Sequence, residues 1–176
     1  MRRLGTIVLA LVALAGVALL DTDRRRFVML PLIVLTTEFP AALAPADEGP
    51  TVGWFDDYYT FTRIDERTMV IGEPLSHSQN YNYLLLGDER ALLFDSGDGF
   101  HDLRLVVASL TSLPVTAVPS HLHYDHIGSH MNYERLALLD LPELRQRVAD
   151  GALRLRYGEH LGVFESVPLP TLHPTE

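Results

Sequence analysis

The sequence predicts a mixed α/β (α+β) domain, in which helices pack on a sheet. Three observations indicate this class. Short β-rich runs separated by turn residues occupy the chain between Tyr59 and Phe94, an apolar helical repeat follows between Leu103 and Leu110, and a short buried strand comes next. Successive strands followed by a strand–helix–strand unit are typical of a mixed sheet with helices on its face.

The elements before the histidine-rich segment follow from periodicity and turn signals. The tetrapeptide Gly87–Arg90 joins two apolar runs and predicts a hairpin. The apolar repeat from Leu103 to Leu110 predicts a helix over 102–112. The expected strands are 59–64, 68–71, 81–86, 91–94 and 115–119.

Weaker signals follow residue 130. The run Leu136–Leu139 predicts a further strand. Asp140 is expected to cap a helix that has Pro142 in its first turn. The apolar face of that helix would consist of Leu141, Leu144 and Val148. The tail 167–174, rich in proline, is predicted to be a loop.

Composition excludes several classes of site. The net charge of −9 argues against a nucleic-acid surface, which needs lysine and arginine to replace phosphate counterions. The chain has no cysteine, so disulfides and cysteine-ligated zinc are both excluded. Any bound metal ion must therefore be held by histidines and carboxylates.

The N-terminus has the pattern of a targeting segment. Arg2 and Arg3 precede an uncharged run of 17 residues from Leu4 to Leu20, which is near the lower limit for crossing a bilayer and also fits a signal peptide. We expect residues 1–36 to be a signal peptide or membrane anchor, 37–50 a linker and 51–176 the folded domain. That domain would be exported or anchored outside the cytoplasm.

Four of the eight histidines fall within ten residues: His121, His123, His126 and His130. If 121–123 is extended at a strand end, the two-residue period places His121 and His123 on one side, where they could chelate one ion. A turn at Tyr124–Asp125 would direct Asp125 and His126 toward an adjacent position. Imidazole and carboxylate ligands suit zinc, and also iron or manganese. The alternative is a set of solvated loop histidines.

The segment from His121 to Gly128 (H-L-H-Y-D-H-I-G) resembles the signature of the metallo-β-lactamase-fold hydrolases. The acidic turn Asp95–Gly99 is similar to an earlier turn of that family, and the similarity covers about residues 60–139. The resemblance implies an αββα sandwich built from two βα halves, of which this chain supplies the N-terminal half, preceded by the hydrophobic segment.

The resemblance also implies roles for individual residues. His121 and His123 would hold a first metal ion, and Asp125 and His126 would belong to a second. Asp125 would in addition act as the catalytic carboxylate that orients the water shared by two zinc ions. Asp95 would support these ligands without binding metal itself, although a turn aspartate that bonds its own backbone explains it equally well.

The other histidines have simpler interpretations. His130 is expected to be a polar residue at a helix start, His101 and His160 to be surface residues, and His77, next to Asn80, to be a loop residue. The family places another histidine in an H-x-x-G-H-like turn after the first motif, then a bridging residue and a last histidine. His173 is the one later candidate in this sequence, and it lacks the accompanying glycine.

The sequence therefore predicts a zinc-dependent hydrolase whose metal-activated hydroxide attacks a small-molecule ester, thioester, lactone or lactam. A missing C-terminal half or a partner chain would be needed to complete the site. The alternatives are an exported, non-catalytic metal-binding protein and a truncated, inactive and membrane-tethered paralogue.

Overall fold

The computed structural model describes residues 16, 35–36, 51–156, 159 and 171–175. Most of the N-terminal segment, the linker and His160 lie outside the described residues. Within the described ranges, no helix has both the length and the apolar character needed to cross a bilayer.

The main element is a seven-stranded sheet in which the strands lie in sequence order. The strands are β1 (Gly53–Trp54), β2 (Thr60–Arg63), β3 (Thr68–Gly72), β4 (Tyr81–Leu86), β5 (Ala91–Phe94), β6 (Val115–Val118) and β7 (Arg135–Leu136). Strands β1 to β5 pair antiparallel, whereas β5, β6 and β7 pair parallel. Helix α1 (Leu103–Leu110) forms the crossover between β5 and β6, and a short helix, α2 (Tyr124–Ile127), lies between β6 and β7. The predicted mixed α/β class is confirmed.

One face of the central strands forms the first hydrophobic core. Alternate residues of β3, β4 and β5 point to this face, where they meet the apolar stripe of α1. Asp102 begins the helix, because its side chain accepts a hydrogen bond from the backbone N–H of Arg104. The buried residues of this core include Met69, Ile71, Leu84, Leu93, Leu103, Val106 and Val107.

The opposite face of β4 carries large apolar side chains that are open to solvent. Tyr81, Tyr83 and Leu85 of β4 are 40–52% exposed, while Asn82 and Leu84 between them are fully buried. The pleat of the strand accounts for this alternation. The sheet thus has one covered face and one uncovered face among the described residues.

A smaller unit follows the sheet. It contains α3 (Pro142–Arg147) and a three-stranded sheet in the order β10 (Thr171–Leu172), β9 (Ala152–Arg154), β8 (Val148–Ala149). Its apolar side chains join those of the histidine segment in a second core cluster. The members are Ala117, Leu122, Ile127, Leu136, Leu144, Leu153, Leu155 and Leu172.

Three expectations about the later part of the chain are wrong. Strand β7 ends at Leu136 rather than Leu139, and the backbone turns at Leu139, whose carbonyl accepts from Leu141 N–H. Leu141, not Asp140, is the cap residue of α3, and the Asp140 carboxylate pairs with Arg145 instead. Part of the tail is strand, since β10 pairs with β9.

Candidate metal centre

Backbone hydrogen bonds fix the acidic turn 95–99 against the histidine segment. Asp95 N–H donates to Val118 O at 2.9 Å, Ser96 N–H to His126 O at 2.8 Å, and Gly128 N–H to Gly97 O at 2.8 Å. These bonds join the end of β5 to the end of β6 and the loop beyond it. The turn therefore positions the histidine segment without depending on side chains.

Two glycines allow the close approach of these segments. A β-carbon at Gly99 would lie 2.6 Å from Gly128 O, and one at Gly128 would lie 2.2 Å from the carbonyl carbon of Asp98. Gly99 also has a φ of +77°, which disfavours other residues. Both positions are therefore restricted to glycine by contact with the facing backbone.

The histidine motif follows β6 directly and is held by two buried apolar residues. Leu122 and Ile127 are 7% and 2% exposed and belong to the second core cluster. The sequence predicts an extended segment over 121–123 followed by a simple turn, and the structure differs in both respects. Residues 121–122 form a bend, and the residues after His123 form helix α2.

Three imidazole rings meet at this place. His121 Nε2 lies 3.0 Å from His123 Nδ1, and the two ring centroids are 4.5 Å apart. The His121 and His126 ring centroids are 4.2 Å apart. Partial burial and the neighbouring imidazoles of His126 and His123 lower the pKa of His121, which favours the neutral, metal-binding form.

Two carboxylates flank the histidines in different ways. Asp95, 6% exposed, has Oδ2 at 2.9 Å from His126 Nδ1. Asp125 is partly buried, and its Oδ2 lies 3.9 Å from His126 Nε2. Asn80 donates its side-chain amide to the backbone carbonyl of Asp125 and so connects the loop before β4 to the motif. Asp95 therefore contacts a histidine, and Asp125 faces the opposite nitrogen of the same ring.

His130 begins a 3₁₀ turn, as expected of a helix-start residue, but it is 1% exposed rather than solvated. Its Nδ1 lies 2.5 Å from Ser96 Oγ, which also accepts from Ser129 N–H. Burial lowers the pKa of His130 to about 4. His130 is therefore a neutral core residue that ties the segment after the motif to the acidic turn.

The remaining predicted positions lie outside the cluster. His101 is exposed and stacks on Tyr58, with ring centroids 3.9 Å apart. His77 is also exposed. His173 is exposed after β10 and does not join the cluster.

The histidine and aspartate side chains are of the kinds that bind zinc, but too few of those that the structure describes converge on one point to hold the ion. Two nitrogens 3.0 Å apart can both reach one ion at Zn–N distances of about 2.0–2.1 Å. Nevertheless, no group of three or more histidine, aspartate or glutamate side chains among the described residues is arranged to hold a metal ion. A catalytic zinc needs three protein ligands and an open position. The described part of the chain thus supplies an incomplete set.

An open cleft of about 220 Å³ borders the histidines. His121 and His123 line it together with Leu141 and Leu144, which contribute apolar surface. Arg147 and Glu159 also line it, and their ion pair has both carboxylate oxygens 2.7 Å from guanidinium nitrogens. The cleft gives a small molecule access to the exposed histidines.

Sequence reasoning missed two residues that the structure brings to this region. Ser120 Oγ lies 2.9 Å from Asp95 Oδ2 and 3.0 Å from His121 Nδ1, and its position directly before the motif was the one available signal. Glu73, fully buried beneath the acidic turn, had no signal, because an isolated glutamate in a polar loop is usually exposed.

No family model and no curated protein matches this chain. Among solved structures, 12 chains match. One is a crystal structure of the DIM-1 metallo-β-lactamase exposed to ceftazidime, with 10% identity and a TM-score of 0.31. The match covers 69% of this chain and 58% of the lactamase chain. An overlap of this extent does not by itself assign the chain to a family.

Proposed function

We propose that this chain carries part of the active site of a metal-dependent hydrolase, with His121, His123, Asp125 and His126 as its ligands. The observation that carries the proposal is the convergence of three imidazoles, with His121 Nε2 and His123 Nδ1 3.0 Å apart beside an open cleft. Independently solvated loop histidines are not expected to place two ring nitrogens within hydrogen-bond distance of each other.

The metals in this proposal are two zinc ions, with iron or manganese as alternatives. Bound divalent ions would supply a hydroxide near neutral pH and polarise the bond under attack. His126 would be held for this purpose by Asp95, since a ligand histidine is commonly oriented by a carboxylate on its other nitrogen. Asp125, held at its backbone carbonyl by Asn80, would orient the attacking water.

We further propose that the missing ligands come from outside the described residues, either from additional C-terminal sequence or from a partner chain. The solvent-exposed apolar face of β4 supports this, because Tyr81, Tyr83 and Leu85 present a surface that a second sheet could cover. The completed domain would be an αββα sandwich. Its export or membrane attachment through residues 1–36 belongs to the same proposal.

The substrate class in this proposal is a small neutral ester, thioester, lactone or lactam. Leu141 and Leu144 give the cleft apolar surface, and the Glu143 carboxylate in its lining disfavours a polyanion. The net charge of −9 also disfavours nucleic acid as a substrate.

Zinc binding by the full chain tests the proposal, measured by calorimetric titration. Because the described ligand set is incomplete, we expect saturable but weak zinc binding in the wild type and its loss in His123→Ala. The matched control is His101→Ala, because His101 is also exposed but stacks on Tyr58 outside the cluster. Equal uptake by His123→Ala and wild type would contradict the site.

Turnover is then measured on a panel of esters, thioesters, lactones and β-lactams, using the whole reading frame that encodes Glu176. Sequence beyond Glu176 that contains an H-x-x-G-H-like turn, an aspartate and a late histidine would support a completed dinuclear site. Hydrolysis that is abolished by a chelator and by His123→Ala supports the proposal. Zinc uptake without hydrolysis would instead establish a non-catalytic metal-binding protein, and hydrolysis that survives His123→Ala would refute the proposed site.

A further inference from the structure

A single hydroxyl group connects two of the three histidines. The Asp95 carboxylate receives Ser120 N–H on Oδ1 at 2.7 Å. Its Oδ2 lies 2.9 Å from both Ser120 Oγ and His126 Nδ1. On its other side, Ser120 Oγ lies 3.0 Å from His121 Nδ1. Ser120 and Asp95 therefore form a bridge between His126 and His121, behind the nitrogens that face the cluster.

The number of protons on Ser120 and Asp95 determines which atom donates in each of these hydrogen bonds. A carboxylate only accepts hydrogen bonds, so both His126 Nδ1 and Ser120 Oγ must donate to Asp95. The serine hydroxyl has one proton, and that proton is then used. Ser120 Oγ can consequently only accept from His121, which requires a proton on His121 Nδ1. If His121 Nδ1 carried no proton, it and Ser120 Oγ would be two acceptors in contact with no proton between them.

We infer that Ser120 is a positioning residue that, together with Asp95, fixes the proton of His121 and of His126 on Nδ1, so that each ring presents its Nε2 to the cluster. This inference rests on the proposed function only where a cation is concerned. The tautomers themselves follow from hydrogen bonds within the metal-free chain.

The hydrogen bond between His121 and His123 also determines the tautomer of His123. Its Nδ1 lies 3.0 Å from His121 Nε2, which carries a lone pair, so His123 must hold its proton on Nδ1 in the metal-free protein. A cation held by both atoms would need a lone pair on each, so His123 would have to carry its proton on Nε2 instead. The exposure of His123 would allow this exchange with solvent.

Imidazole nitrogen NMR tests the inference directly on the full chain. Long-range ¹H–¹⁵N spectra recorded at about pH 8 distinguish the two tautomers. In the metal-free wild type, we expect Nδ1–H on all three histidines. After addition of zinc, only His123 should change to Nε2–H.

The informative variant is Ser120→Ala, which removes the acceptor of His121 Nδ1–H but keeps the backbone bond from residue 120 to Asp95. We expect His121 to lose its fixed tautomer while His126 retains Nδ1–H, and zinc affinity to fall by about 10- to 100-fold. Ser120→Thr keeps the hydroxyl and should restore both. Ser109→Ala is the control, because that hydroxyl bonds only Val106 O within α1.

The outcomes separate this inference from the proposed function. A proton on His121 Nε2 in the metal-free wild type overturns the inference, whether or not zinc binds, and this readout remains decisive if Ser120→Ala does not fold. An unchanged His121 tautomer in folded Ser120→Ala also overturns it. If the tautomers are as stated but the wild type binds no zinc, the proposed function fails and the positioning role of Ser120 stands.

Discussion

The carboxyl group of Glu73 packs against the α-carbon of Gly97, so closely that a β-carbon at position 97 would lie 2.1 Å from Glu73 Oε1. Glu73 is fully buried, and its carboxyl group lies near the backbone of Asp98 and the side chain of Asn82. Burial, followed by the negative charge of Asp98, raises the pKa of Glu73 to about 8. The acidic turn that positions the histidine segment therefore lies on a carboxyl group that is neutral at pH 7.

We expect Glu73 to make stability fall as pH rises. Below its ordinary pKa of 4.5 the carboxyl is protonated in both states, and between pH 4.5 and about 8 the unfolded chain releases a proton that the folded chain keeps. The free energy of unfolding should decrease across this window by on the order of 5 kcal/mol. Glu73→Gln should remove the decrease, as measured by urea denaturation at several pH values. Parallel pH profiles for the two proteins would contradict this.

His130 should make the free energy of unfolding fall as pH decreases, which is the opposite of the effect of Glu73. Its pKa is lowered to about 4 in the fold, against an ordinary value of 6.5, so the unfolded chain binds the extra proton first as pH falls. Stability from this residue is therefore complete above pH 6.5 and is lost as pH falls toward 4, by on the order of 3 kcal/mol. His130→Asn keeps a polar partner for Ser96 without titrating in this range. Its denaturation profile should lack the acid-side loss, and a slope equal to that of the wild type would refute the prediction.

Gly97→Ala should destabilise the fold through a clash with Glu73. Gly97 has a φ of +67°. The matched control for backbone strain alone is Gly151, which has a φ of +73° and no described atom within 4 Å of where its β-carbon would lie. We expect Gly97→Ala to cost about 1–3 kcal/mol more than Gly151→Ala in thermal or chemical denaturation. Adding Glu73→Ala should remove the excess cost. Equal costs for the two glycine variants would show that Glu73 moves aside freely.

Adjacent residues of β4 should respond very differently to truncation. Leu84 is fully buried in the first core and Leu85 is 41% exposed on the uncovered face. Leu84→Ala should cost about 2–5 kcal/mol, whereas Leu85→Ala should cost well under half as much. Binding of a hydrophobic dye to the native chain should fall in the Leu85→Ala variant. A large stability loss at Leu85 would mean that the uncovered face is already covered in solution.

The local sequence was sufficient for the elements that have a clear period. Strands β4 and β5 occupy the predicted residues 81–86 and 91–94, and α1 lies within the predicted 102–112. These segments are long enough for their apolar residues to repeat at a spacing of two or between three and four. The two-residue strands β7 and β10 contain no full repeat, so their pairing depends on partners elsewhere in the chain.

The sequence by itself determined the mixed α/β class and the clustering of imidazole and carboxylate side chains in one short segment, because both are properties of neighbouring residues. Tertiary structure alone decided that Ser120 bridges Asp95 to His121, that His130 is buried against Ser96, and that Glu73 is neutral beneath Gly97. Each of these depends on segments that are distant in the chain being brought into contact. Burial and proton sharing arise from that proximity, which no local pattern encodes.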